Sequence, residues 1–342
     1  MTVLVIAAIV GGCISTRFIY NQLDWFITWQ LSGYFDLEKE QSQQLRATVS
    51  RQLEWVRVEQ LPAYAELLRA IAGEAGTGEL TPSRWEAIYA QMIALFDEFL
   101  RHVIPDAVAF LSTLSDDQVE YMIEKLQEEN EELAREYSGR TPEQRQRRRE
   151  KAIIKGMQRF TGRLNGDQKA LVSSAVASMY DNSEEWLLGR RLWQQDFRRL
   201  LLERPPTPEF EARLLEISID PNYMDAPEYR AKVEANQRIV LGMMADIIVS
   251  LDDKQRQRFQ DRMNGFADDF DNLAMQAAAD RDRQAAPSGP APLAAAVPAG
   301  CASAAGTGSC EMGPAGAILH GNFSRDAVGA AGDIPGPASC RG

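Results

Sequence analysis

Apolar residues recur every three or four positions along most of this chain, the spacing of helices that bury one face. Leu45, Val49, Leu53 and Val56 mark a long amphipathic helix that starts near Asp36-Leu37. Leu61, Tyr64, Leu67, Leu68 and Ile71 continue its stripe to Gly73, with Pro62 expected to kink or end the helix. A broad face of Trp85, Ile88, Tyr89, Met92, Leu95, Phe96, Phe99 and Val103 follows, wide enough for a bundle core, and Pro105 is expected to interrupt it. Further helices are predicted over 115–137, 141–163, 165–202 with an irregularity at Asp181-Asn182-Ser183, 209–217, 227–250 and 252–278. No stretch in this span alternates as a strand does.

Punctuation between the helices repeats. Leu114-Ser115-Asp116-Asp117-Gln118 places a capping residue after leucine and a glutamine three residues on, the pattern of a capping box. Leu164-Asn165-Gly166-Asp167-Gln168 and Leu251-Asp252-Asp253-Lys254-Gln255 are near-copies, so Leu114, Ser115, Gln118, Leu164, Asn165, Gln168, Leu251, Asp252 and Gln255 are read as a helix-capping device. Thr81-Pro82 and Thr141-Pro142-Glu143-Gln144 are looser versions, with proline at the first helical position.

The fold class that follows is all-α: an elongated bundle of antiparallel helical hairpins with a disordered C-terminal tail. Residues 1–12, an apolar run that ends in Val10-Gly11-Gly12 before Cys13, read as a lipoprotein signal peptide and 13–204 as a lipid-anchored helical domain. Residues 205–284, after Pro205-Pro206-Thr207-Pro208, read as C-terminal helices that pack on the same body or form a small subdomain. Residues 285–342 turn to Ala, Gly, Pro and Ser without an apolar period, a composition that cannot bury enough surface to fold; an out-of-frame gene end has this look.

Charge narrows the chemistry. A net charge of −12 argues against a general nucleic-acid binder, so no nucleic-acid partner is expected. The charges are segregated, however. The helix over 115–137 carries Glu124, Glu128, Glu129, Glu131, Glu132 and Glu136, and the next carries Arg145, Arg147, Arg148, Arg149, Lys151, Lys155, Arg159 and Arg163. A short turn joins them, so an antiparallel hairpin with the opposite charges facing each other is predicted. Arg145, Arg147, Arg148 and Arg149 are candidate contacts for anionic lipid phosphates.

Catalytic sets are not found. His102 is the one histidine in the helical part and is read as a helix-end residue, and no nucleophile elbow, zinc-protease, phosphate-loop or paired-cysteine motif occurs. No catalytic residue, cofactor or metal site is therefore assigned. Cys301, Cys310, Cys340 and His320 are scattered through the tail without ligand spacing.

The N-terminus is the most specific stretch. Val10-Gly11-Gly12-Cys13 resembles a bacterial lipobox, which implies diacylglyceryl modification of Cys13, cleavage before it and N-acylation, palmitate being a usual chain. No Lys or Arg precedes the apolar run, so translation is expected to start upstream. Ile14 stands where aspartate would signal inner-membrane retention, so the outer membrane facing the periplasm is the expected location. The aromatic run that follows supplies Phe18, Tyr20, Trp25 and Trp29 as candidate membrane-proximal residues.

Two family resemblances add to this. Thr16-Arg17-Phe18-Ile19-Tyr20-Asn21, Asp24-Trp25, Gly33-Tyr34-Phe35-Asp36-Leu37 and Leu61-Pro62-Ala63-Tyr64 resemble an uncharacterised family of proteobacterial helical lipoproteins. The similarity runs on through Gln127-Glu128-Glu129-Asn130-Glu131-Glu132 to roughly Leu202 and implies a location and a fold, with no reaction. The Leu-x-x-x-Gln copies resemble the Leu-Thr-x-x-Gln motif of Spy-like periplasmic chaperones, with Ser, Asn and Asp in place of the threonine. The expected function is a lipid-anchored envelope module, held to the membrane through Cys13, that acts without catalysis on an unknown envelope protein or unfolded client. The alternative is an envelope enzyme or lipid-handling protein that uses carboxylates and arginines between helices.

Overall fold

The computed structural model describes residue 20, residues 22–219 and residues 226–285. Among them every regular element is helical. In chain order these are α1 Leu23–Phe35, α2 Lys39–Trp55, a π-helical turn Val56–Gln60, α3 Leu61–Thr77, α4 Pro82–Leu111, α5 Asp116–Ser138, α6 Pro142–Thr161, α7 Gly166–Ser178, α8 Ser183–Glu203, α9 Thr207–Ile219, α10 Pro227–Val249 and α11 Asp253–Ala285. The all-α fold read from the periodicity is the fold observed. Cys13, Phe18 and the tail beyond Ala285 lie outside the described residues.

The two prolines are accommodated in different ways. At Pro62 the α-helix is interrupted but the helical run goes on: the π turn ahead of it lets the Leu61 N–H reach back to the Val56 carbonyl, and Pro62 stands in the first turn of the next α-helix. A π turn places one extra residue in the helix, which absorbs the missing proline N–H. Pro105 lies inside α4, and the helix continues unbroken to Leu111. Pro105 and Arg101, whose carbonyl loses its partner, are both exposed, so water can take up that carbonyl.

The predicted helix over 165–202 is two helices, broken at Met179–Asn182, where Asn236 of α10 hydrogen-bonds both the N–H and the carbonyl of Tyr180. α11 is longer than expected and packs along α3. Ala65, Ala72, Ala75, Ala267 and Ala277 are buried, small enough to let the two backbones approach. From α11, Arg256 donates to the Ala75 carbonyl and Gln260 to the Ala72 carbonyl, so α11 also closes the C-terminal end of α3.

Three apolar clusters hold these helices. The first joins α1, α2, α4, α5, α8 and α9 around Phe35, Phe110, Leu126, Trp193 and Phe210. Residues beyond the Pro205-Pro206 break therefore share a core with residues before it. The second joins α3, α4, α7, α10 and α11 around Trp85, Ile88, Ile247 and Phe259, and the third packs Tyr20, Leu61 and Ala65 on Phe270 and Leu273.

The acidic and basic helices do not face each other along their lengths. α5 packs on α8 and α1, whereas α6 packs on α7 and α11. The turn between α5 and α6 is laced by Arg148 and Arg140, both on Glu136. The apolar stripes of α5 and α6 face different cores, and exposed ion pairs are too weak to override that.

Candidate functional site

The capping boxes form the most regular structure in the molecule. Gln118 accepts the Ser115 N–H while the Ser115 hydroxyl accepts the Gln118 N–H, and Asn165/Gln168 and Asp252/Gln255 repeat this reciprocal bond. The glutamine amides then pair across space. Gln168 Nε2 donates to Gln255 Oε1 at 2.8 Å, and Gln255 Nε2 returns the bond at 3.0 Å. Each also donates to the carbonyl just before the other's leucine: Gln168 to Ser250 and Gln255 to Arg163.

Gln118 is paired in the same way, with a box that sequence reading missed. Its partner is Gln41 of Leu37-Glu38-Lys39-Glu40-Gln41, with Gln41 accepting the Glu38 N–H. Gln41 and Gln118 exchange amide bonds of 3.0 and 2.7 Å, Gln118 donates to the Asp36 carbonyl and Gln41 to the Thr113 carbonyl. All four polar valences of each glutamine are thereby used. Each clasp joins two helical corners with local two-fold symmetry: α1 packs on α5 while α2 packs on α4, and α6 packs on α11 while α7 packs on α10.

A second polar assembly lies between α1, α5 and α8. Tyr34 donates its hydroxyl to Glu129, and Arg190, 5% exposed, meets the other Glu129 oxygen at 2.8 Å. Arg190 also lies over the Trp186 ring, and the next residue along α5, Asn130, bonds Gln194. Burial pushes the Tyr34 hydroxyl well above the ordinary tyrosine range, reinforced by its bond to Glu129. Burial also lowers Arg190, against the pull of Glu129.

The four candidate arginines are put to different uses. Arg145 is bound to Asp181 at 2.7 Å and donates to the Arg140 carbonyl at 2.7 Å. Arg148 is taken up by Glu136, Arg149 is half-buried beside Tyr137, and only Arg147 is exposed. They do not form one lipid-facing cluster, because Arg148 ties α6 to the end of α5 and Arg145 ties it to the break between α7 and α8. The exposed cations of α6 are instead Arg147, Lys151 and Lys155 at four-residue spacing. Asp181 sits below the usual carboxylate range: burial opposes ionisation, but hydrogen bonds from Ser183 and Arg145 outweigh it.

The aromatic residues after the lipobox also divide. Tyr20 is buried, with its hydroxyl on the Leu53 carbonyl at 3.0 Å and Arg57 over its ring, so its expected place at the membrane is corrected to an inward one. Trp25 and Trp29 point outward. His102 is not a helix-end residue: it sits within α4, exposed, with its ring stacked on Trp55 at 3.8 Å. Among the described residues, no group of three or more His, Cys, Asp or Glu is placed to hold a metal ion.

A family model matches residues 33–230, more than half of the chain, and the protein belongs to that family, the family of unknown function DUF6279. No curated protein and no solved structure matches the chain.

Proposed function

We propose that the protein is a lipoprotein of the proteobacterial cell envelope, held on the periplasmic face of the outer membrane by acylated Cys13, and that it works by binding other proteins. The anchor reading is supported by Val10-Gly11-Gly12-Cys13. The binding reading is carried by the outer face of α8, where Leu188 (50% exposed) and Leu192 (37% exposed) stand one turn apart. Exposed Glu184, Arg191, Gln195 and Arg199 surround them, and a shallow depression lined by Arg198, Leu202 and Glu203 continues the surface. A small apolar patch inside a charged rim suits a partner segment or an unfolded client, since the apolar contact gives affinity and the rim keeps the surface soluble.

Likeness to the Spy-like chaperones rests on the Leu-x-x-x-Gln boxes. Here those boxes have a complete structural use in the clasps, so kinship and a shared chaperone role are proposals that need a functional readout. Aggregation of an unfolded client, followed with the full chain and with Leu188→Ser/Leu192→Ser, supplies it, together with cross-linking in intact cells. Protection that the double substitution reduces supports the reading; no protection and no cross-linked protein contradict it.

The second reading, an envelope enzyme or lipid-handling protein, has one observation in its favour: Glu129 held between Tyr34 and Arg190 in a nearly buried setting. Such settings are also built for structure alone. Glu129→Gln separates the two, because a chemical role fails in a folded protein whereas a structural one registers only as lost stability.

A further inference from the structure

We propose that α1 lies flat in the headgroup region of the bilayer, with Trp25 and Trp29 as its membrane-facing residues; this rests on the Cys13 anchor reading. Most of the circumference of α1 is apolar, with Asp24 in the first turn its one charge, yet only one side of it is packed on the protein. Leu23, Gln30, Tyr34 and Phe35 face inward. On the opposite side Trp25 is 53% exposed and Trp29 45%, their rings nearly parallel with centroids 6.1 Å apart, and Phe26 lies against Trp29 at 6.1 Å. This is one continuous aromatic patch, not the scattered exposure common on soluble surfaces.

Three features select a lipid surface as the occupant. The first is reach: six residues separate Cys13 from Tyr20, and even fully extended the seven steps between them span about 25 Å. An acylated Cys13 therefore keeps α1 at the membrane. The second is polarity. Thr28 and Ser32 turn their hydroxyls back to the Asp24 and Thr28 carbonyls at 2.7 Å, so α1 presents no free hydroxyl in the middle of this run. The third is length: 13 residues make a helix of about 20 Å, too short for a hydrocarbon core of about 30 Å. Among the described residues no helix is long and apolar enough to cross a membrane. A helix of this kind lies in the interface, where indole rings are favoured. No Lys or Arg occurs in α1 and its one charge, Asp24, is repelled by anionic headgroups, so the attraction is apolar and should not weaken as salt is added.

The test uses the full chain purified from a Gram-negative envelope and reconstituted in vesicles of phosphatidylethanolamine and phosphatidylglycerol. Tryptophan emission is read with bromine-labelled acyl chains in the vesicles and with iodide in the water, for the native chain and for Trp25→Phe/Trp29→Phe. Bromolipid quenching that the double substitution removes, with iodide protection and no weakening on adding salt, is the expected result. Indoles protected from iodide but not quenched by bromolipid are covered by protein, either a second copy or another segment of this chain, and overturn the proposal. Indoles open to iodide overturn it too. Mass analysis of the same sample reads the anchor separately: a Cys13 without acyl groups removes the anchor reading. The native chain is then added to preformed vesicles, where bromolipid quenching sustains the aromatic face on its own and its absence overturns it.

Discussion

Gln168 and Gln255 lie 87 residues apart in the chain and hold each other by two side-chain amide bonds while each caps its own helix. Neither has solvent to fall back on, since Gln168 is fully buried and Gln255 nearly so. Gln168→Ala strips a cap from α7 and leaves Gln255 and the Ser250 carbonyl short of partners. The expected loss is about 2–4 kcal/mol, the sum of a lost cap and unsatisfied buried groups. Urea unfolding of Gln168→Ala, Gln255→Ala and the double variant should give a coupling of about 1 kcal/mol or more, because the second substitution removes a group already orphaned. Additive losses would mean the two amides act independently.

The Gln41–Gln118 clasp is more exposed, and its loss should be milder. Ser115→Ala/Gln118→Ala should cost about 1–2 kcal/mol through lost capping and leave client protection intact in the protein that still folds. Protection lost at unchanged stability would give the box a direct functional role.

Arg190 is set between Glu129 and Trp186, and its removal takes a closely held cation away from the Glu129 carboxylate. Arg190→Met should destabilise by about 3–5 kcal/mol, the usual penalty for breaking a buried pair from one side. Arg190→Met/Glu129→Gln should recover part of that loss. Chemical denaturation at neutral pH measures both.

Tyr20, Tyr34 and Tyr64 are all raised by burial, Tyr64 to about 12. In the unfolded chain a tyrosine ionises near pH 10. Their contribution is therefore fully present below about pH 10 and is lost as the pH rises through the folded values, because only the unfolded chain releases these protons readily. Unfolding free energy measured from pH 8 upward should fall beyond about pH 10. Tyr64→Phe, which removes one of these groups, should make that fall less steep; an unchanged slope would mean Tyr64 is not protected by the fold.

Much of this was legible from sequence, because periodicity and caps are local. Helical stripes place most elements, and Ser115, Asn165 and Asp252 announce three helix starts. Leu37–Gln41 has the same leucine-to-glutamine spacing but carries Glu38 at the cap, a residue outside the preferred capping set, so the stretch gives no cap signal of its own. The pairing of the boxes was not legible, since Gln41 finds Gln118 across 77 residues. Nor was the division among the aromatics: Tyr20 turns inward to Leu53 while Trp25 turns outward, a choice made by the packing of α1 on α2 and α5. The charged hairpin failed for a related reason: complementary composition in adjacent helices does not say which face each one buries.

The central claim is that this chain is held to a membrane through Cys13, and intact-mass analysis of the protein extracted from a Gram-negative envelope tests it most directly. The account predicts a chain that begins at Cys13 and carries a diacylglyceryl group and an N-linked acyl chain, and that Cys13→Ser does not yield. A chain that keeps the residues before Cys13 and an unmodified thiol would contradict it.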